Sequence, residues 1–479
     1  MKIFLKIKLI LFFTTVFYAL YGQDSHYWSE NYGNKSMLLS GTVNASVSDL
    51  GAVFYNPGRI GLIDNPAFAI NAEVYKLNYI KIEDGVNEGS DLKKKTFGGA
   101  PSLAAGSFNL PFLKNHRFVY SFLTRQSTNT DFFIRVEKKG DVVEAIPGEE
   151  LFNGKLDFNS SFKDEWIGLT WAPPVSENIG IGLSNFVSVL NKNSFIGLDM
   201  HTLDERNKVA ELLMNRKYSF NTYGLLWKFG MAWKSNVLNL GLTVTTPRIN
   251  VINSGSVLFE EYLINVDVTG DGETDDNYKF NTQNDLESAF HTPWAVGLGA
   301  GIQLKKGVIH LSTEWYSKVP EYTLLKTNPF EVQSTGEILE FQVVNELKSV
   351  FNFGIGVEWL LNEKISAYAS FATDFSAATS GFTDFAEFDT QASNSNLQAD
   401  FYQFGGGVSI ETRIIEITLG ATYRGATDEI DRPINFPDED DIPVFNNNEK
   451  SSLYIKQWSF ILGFTFLNFE SILDKSNKN

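Results

Sequence analysis

Several stretches of this chain alternate apolar with small or polar side chains at a period of two, and that spacing limits its fold more than any other feature. Tyr223, Leu225, Trp227, Phe229, Met231 and Trp233 share one face, opposite Gly224, Lys228, Gly230 and Ala232, with Leu226 as the exception. Ile415, Ile417, Leu419, Ala421 and Tyr423 oppose Glu416, Thr418, Gly420, Thr422 and Arg424. Tyr454, Trp458, Phe460, Leu462, Phe464 and Phe466 oppose Gln457, Ser459, Gly463 and Thr465. Successive side chains of an extended strand point to opposite faces, so each stretch reads as a strand with one greasy and one small or polar face. Sandwiches and membrane barrels both alternate, so connection lengths must separate them. Alternation and turn residues mark strands at 67–82, 98–109, 116–126, 161–172, 179–190, 218–233, 237–246, 291–304, 308–318, 349–361, 364–375, 401–411, 414–426 and 453–467. The links after even strands are short, such as Pro173 to Asn178 and Lys305 to Gly307. Those after odd strands are long: 83–97, 127–160, 191–217, 247–290, 319–348, 376–400 and 427–452. Short turns on one rim and long loops on the other are the pattern of an outer-membrane barrel, turns periplasmic and loops extracellular.

The N-terminus agrees on compartment. Lys2, Lys6 and Lys8 precede an apolar run from Leu9 to Leu20, and Gly22 stands at a cut expected before Gln23, so 1–22 reads as a secretory signal. Its apolar core is 12 residues long, short of the ~20 that span a bilayer as a helix. No later apolar run reaches ~18 residues, which excludes a helical membrane protein. The absence of cysteine removes disulfides, thiolate metal sites, a cysteine nucleophile and a lipid anchor at the cut. A formal charge of −17 argues against a nucleic-acid partner. The expected fold is therefore all-β: a transmembrane antiparallel β-barrel of about 14 strands over 67–467, in a Gram-negative outer membrane, with lipid and lipopolysaccharide around its skin. Residues 468–479 form a C-terminal tail.

Between signal and barrel lies 23–66, which contains SDLGAVFYNPGRIGLI from Ser48 to Ile63. Through Ala52, Phe54, Asn56, Pro57, Gly58 and Gly61 this stretch resembles the N-terminal plug of the long-chain fatty acid and aromatic-hydrocarbon outer-membrane transporters (FadL-type). The segment from His291 to Tyr322 is similar to that family's Pro-containing strand entry, Gly-rich strand, tight turn and Trp-bearing partner strand. The resemblance implies fourteen strands, a plug inside the lumen, and passage of apolar molecules through a hydrophobic pocket and sideways into the membrane. On that reading Phe54, Tyr55, Asn56 and Pro57 are the candidate substrate-binding residues; packing of Phe54 and Tyr55 against the wall is the plainer alternative. LDERNKVAELLMNR at 203–216 is expected to be a helix, either a capture surface of the kind this family carries or a cap on the rim.

DVTGDGETDD, from Asp267 to Asp276, spaces Asp267, Thr269, Asp271 and Asp275 like the oxygens of a calcium loop, with Gly272 at the turn. The twelfth position is Tyr278 rather than Glu, so an ordinary acidic turn is the alternative to a calcium site at Asp267, Asp271 and Asp275. Acidic residues also crowd 428–441, either merely solvated or bridging divalent cations at the cell surface. The five histidines (His26, His116, His201, His291, His310) show no metal-ligand spacing. No GxSxG, Walker A or HExxH pattern occurs, and Gly297, Gly299 and Gly301 lie in an alternating strand where Gly eases curvature. The expected function is non-enzymatic: import of hydrophobic small molecules, long-chain fatty acids or aromatic hydrocarbons, by binding and passive transfer. Rival readings are a barrel that secretes or anchors a protein partner, of type IX secretion type, and an outer-membrane hydrolase with a Ser–His pair near the rim.

Overall fold

The computed structural model describes residues 25–63, 68–99, 101–113, 115–141, 148–203, 207–266, 273–274, 276–379, 391–393, 399–412, 415–436 and 449–466, with 68–74, 101, 391–393 and 466 as backbone. The expected signal at 1–22 and tail at 468–479 lie outside the described residues.

Fourteen antiparallel strands make the wall: β1 (Phe68–Glu83), β2 (Leu92–Gly98, then Pro101–Phe108), β3 (Arg117–Gly140), β4 (Glu150–Ala172), β5 (Ile179–Leu203), β6 (Val209–Trp233), β7 (Leu238–Thr245, then Ile249–Ile264), β8 (Asn277–Leu286, then Ala295–Leu304), β9 (Gly307–Tyr316), β10 (Val350–Asn362), β11 (Ile365–Asp374), β12 (Phe401–Glu411), β13 (Ile415–Asp431) and β14 (Lys450–Phe466). Each strand pairs with the next. β14 pairs back onto β1 from Ala69↔Thr465 to Glu83↔Ser452, so the ladder is a closed ring. Closure suits hydrocarbon, where an open sheet edge would leave backbone groups unsatisfied.

Links alternate short and long as expected, but much of the sequence assigned to long loops is strand. β3 and β4 stay paired out to Gly140↔Glu150, and β5 and β6 out to Leu203↔Val209. The helix expected at 203–216 does not form: from Val209 onward the segment belongs to β6, clamped between β5 and β7. Val209, Ala210, Leu212 and Leu213 suit either period, and an isolated helix of this length is marginal, so pairing on both flanks decides.

The period continues in these extensions while its phase inverts. In β4, Ile167, Leu169 and Trp171 face outward, whereas further along Phe152, Leu156, Phe158 and Phe162 face inward beside outward Lys155, Asp157 and Lys163. β5 and β6 switch likewise, to inward Leu190, Ile196, Leu198 and Met200 and to inward Met214, Tyr218 and Phe220. Below the switch the outer face is apolar; above it the outer face is polar and the apolar side chains turn into the bore. β6 has 25 residues, roughly 80 Å along the strand at ~3.3 Å each, well beyond the ~25 Å apolar band of such barrels.

Residues 25–63 lie inside the ring as a plug with two short helices, Asn34–Leu38 and Ala52–Tyr55, and a 3-10 turn, Pro57–Leu62. Inward glycines of the wall trace its path. A Cβ on Gly463 would meet Asn34 Oδ1 at 2.3 Å, on Gly405 the Leu38 carbonyl at 2.6 Å, and on Gly356 Thr42 Oγ1 at 2.7 Å. On Gly299 it would meet the Ala45 nitrogen at 2.7 Å, and on Gly182 the Pro57 carbonyl at 2.3 Å. Gly297, Gly299 and Gly301, expected to ease curvature, clear space for Asn44 to Ser46.

Candidate functional site

The register of β3 on β4 shifts between Thr124 and Gln126, a bulge that leaves Arg125 and Gln126 both buried. Arg125 donates to the Tyr27 carbonyl at 2.8 Å, and its guanidinium lies 5.5 Å from the Phe54 ring centroid and 5.7 Å from that of Trp166. Asp374 accepts from the backbone N–H of Tyr27 (3.0 Å) and of Trp28 (2.9 Å), and pairs with Arg424 at 2.6 Å. Glu314 accepts from Trp28 Nε1 (3.0 Å) and the Tyr316 hydroxyl (2.6 Å), and lies 3.5 Å from Lys228 Nζ. Lys76 reaches Glu30 at 2.6 Å. The start of the plug is thus tied to wall strands on several sides through buried charges, a floor on which each charge is paired or hydrogen-bonded at high desolvation cost.

Against this floor lies a cavity of about 160 Å³. Ser25, His26, Ser29 and Glu30 belong to the plug; Ile80, Phe158, Phe162, Phe401 and Ile455 give it apolar walls; and Asn78, Lys94, Thr96, Gln126 to Thr130, Ser160, Lys192, Arg424 and Gln457 line the rest. The buried Lys192 donates to Ser160 Oγ at 3.0 Å. The cavity borders an interruption of the wall. β2 and β3 are paired between Leu103↔Leu123 and Phe108↔Phe118; beyond that, Leu92–Gly98 pairs with β1 and the rest of β3 with β4. Among the described residues no ladder joins the two edges of this seam, which the Lys94–Asp131 ion pair spans. Above lies the apolar cluster of the extensions, including Phe132, Phe152, Phe220, Phe259 and Phe290.

The four plug residues singled out from sequence are divided. Phe54 and Tyr55 border a small cavity of about 20 Å³, with Phe54 4.6 Å from Lys228 Nζ and the Tyr55 hydroxyl accepting from the Tyr32 N–H at 2.9 Å. Asn56, fully buried, fastens plug to wall: its Nδ2 donates to the Asn44 carbonyl (2.9 Å) and the Met231 carbonyl (3.0 Å), and its Oδ1 accepts from the Gly58 N–H (3.0 Å). Pro57 rests on the floor made by Gly182 and Gly230. Asp267, Asp271 and Asp275 lie outside the described residues. Ser46 Oγ stands 2.6 Å from His310 Nδ1, but Glu358 is 3.8 Å from Nε2, too far for the hydrogen bond that would orient a catalytic ring.

Solved structures share this overall architecture. The fold is that of the FadL-type barrels. A Pseudomonas aeruginosa FadL homologue superposes with a TM-score of 0.52 at 11% identity, covering 94% of this chain and 99% of its own. The P. putida toluene transporter TodX gives 0.52 at 11% over 91% and 98%, and the monoaromatic hydrocarbon channel CymD 0.52 at 9% over 91% and 98%. No protein-family model and no curated protein matches the sequence. Sequence reasoning missed Arg125, His26, Lys192 and the Lys94–Asp131 pair. The available signal was charge on the lumen side of strands otherwise filled by small residues, as at Lys228 and Arg424, which marks positions facing a partner inside the bore.

Proposed function

We propose that this protein moves hydrophobic small molecules across the outer leaflet: they are gathered between the apolar inner faces of the extensions, held in the 160 Å³ cavity, and passed through the β2–β3 seam into hydrocarbon. The observation that carries this reading is the position of the cavity, between a charged floor and both edges of the seam. An apolar molecule gains ~25 cal/mol per Å² by leaving water, and would lose that gain crossing buried Arg125, Lys228 and Glu314; sideways transfer keeps it in apolar surroundings throughout. The mixed lining favours an amphiphile over a plain hydrocarbon, with Phe158, Phe162 and Phe401 toward its tail and Lys192 and Arg424 toward a carboxylate. That lining suits the carboxylate end of a long-chain fatty acid better than an alkylbenzene, with the rest of the chain lying outside the cavity along the apolar cluster above it.

The test is uptake of a labelled long-chain fatty acid and a labelled alkylbenzene by vesicles holding the full chain. The absence of cysteine permits clean labelling. Lys94→Cys with Asp131→Cys, joined by a reducible bis-thiol linker, should abolish uptake, and reduction should restore it. Uptake that survives bridging would refute the seam as exit. A chain that moves neither molecule but retains a secreted protein would favour the secretion or anchoring role instead.

A further inference from the structure

We propose that the outward face of β2, β1 and β14 binds the phosphate groups of the phosphorylated glycolipid of the outer leaflet, through Lys95 and Lys456 on either side of Tyr79. This rests on the outer-membrane reading above. Tyr79 pairs with Lys95 on one side and Lys456 on the other, which at ~4.8 Å per strand sets the two lysines about 10 Å apart across the sheet. Below this row the outward side chains are apolar and exposed: Phe97, Leu77, Trp458 and Tyr75. Above it the phase inverts, with Ile82, Leu92, Leu453 and Ile455 turned inward. The row therefore stands at the upper edge of the apolar band, where a lysine stem lies on greasy surface and its ammonium reaches the head groups.

Charge is distributed unevenly along this boundary. Lys81 is neutralised by Glu83 at 2.7 Å and Asp91 at 3.1 Å, and Lys93 by Asp91 at 2.8 Å. Lys95 lies 5.6 Å from the Tyr79 ring centroid, and among the described residues neither it nor Lys456 meets a carboxylate. In the β4–β6 sector, Lys163 is paired with Glu165 at 2.8 Å and the neighbouring outward positions are Asn191 and Asn221. In a chain of net charge −17, an uncompensated pair of cations beside exposed Phe97 and Trp458 matches a lipid whose phosphates sit above closely packed acyl chains.

The experiment measures binding of purified bis-phosphorylated lipid A, its dephosphorylated form, and phosphatidylglycerol to the full chain in neutral detergent by native mass spectrometry. Bis-phosphorylated lipid A should bind at least about tenfold more tightly than the dephosphorylated form and more tightly than phosphatidylglycerol. Lys95→Glu with Lys456→Glu should remove that preference, Lys95→Gln with Lys456→Gln should weaken it, and Lys155→Glu with Lys217→Glu should leave it intact. Equal binding of the phosphorylated and dephosphorylated lipids, or undiminished preference in the Glu variant, would overturn the site; equal binding of phosphatidylglycerol would overturn the glycolipid assignment. Membrane fractionation reports the underlying reading separately. A chain absent from the outer membrane overturns that reading and this inference with it, whereas a chain present there but indifferent to phosphate overturns only the inference.

Discussion

Gly182→Ala tests whether the plug is seated on a glycine floor. The added Cβ would lie 2.3 Å from the Pro57 carbonyl oxygen and 2.4 Å from its carbon. Both are backbone atoms, so no side-chain rotation relieves the clash. Restoring ordinary contact, which begins at 3.4 Å, requires the Pro57–Leu62 turn to lift by about 1 Å. That lift would stretch the 3.0 Å bond from Asn56 Nδ2 to the Met231 carbonyl past hydrogen-bonding range. Overpacking costs ~1–3 kcal/mol and a lost buried hydrogen bond ~1 kcal/mol, so seating should weaken by about 3 kcal/mol, or roughly a hundredfold in the unseated population. Hydrogen exchange reads this directly. The N–H groups of Val47, Arg59 and Ile63, bonded within the plug to the carbonyls of Val43, Asn56 and Arg59, should lose about two orders of magnitude of protection while β5 and β6 keep theirs. Gly406→Ala is the control, because its Cβ meets only the Tyr368 carbonyl, at 3.5 Å. Plug protection in Gly182→Ala equal to that in the control would refute the reasoning, as would loss of protection in the wall strands.

Two further outcomes concern the extensions. Burial would raise the pKa of Glu261, but hydrogen bonds and charge from Arg216 and Lys279 prevail and hold its carboxyl below the usual range. Its contribution to the β6–β7 hairpin should therefore be complete above the ordinary carboxylate range and be lost as pH falls through the lower folded value. Exchange rates over 209–264 should show that acid dependence, and Arg216→Met should weaken it, leaving the part due to Lys279, while keeping contact with Phe259. If calcium sits at Asp267, Asp271 and Asp275, Asp271→Ala should raise proteolysis of that loop with calcium present and leave it unchanged without; equal sensitivity in both conditions would end the calcium reading.

The fold was largely legible. Outward Trp227, Phe229, Met231 and Trp233 opposite Gly224, Lys228 and Gly230 show a strand between lipid and a filled bore, because the rule that hydrocarbon bathes one face acts on each strand locally. The site was less so. Asn56 was readable as a special position beside Pro57, yet its role as a fastener depends on the Met231 carbonyl, far away in sequence. The bulge that buries Arg125 beside Gln126 arises from strand register, which no window of a few residues contains.

Residue order alone therefore determined the number of strands, their outward faces and which rim carries the long connections, since side-chain period and turn chemistry are local properties. Tertiary structure alone decided that 209–216 is strand rather than helix, that the inner glycines yield room to a plug, and that β2 and β3 part above Leu103 and Leu123. Those outcomes turn on contacts between separate segments, from tens to hundreds of residues apart, where the partner surface, and not the segment's own preference, sets the lower free energy.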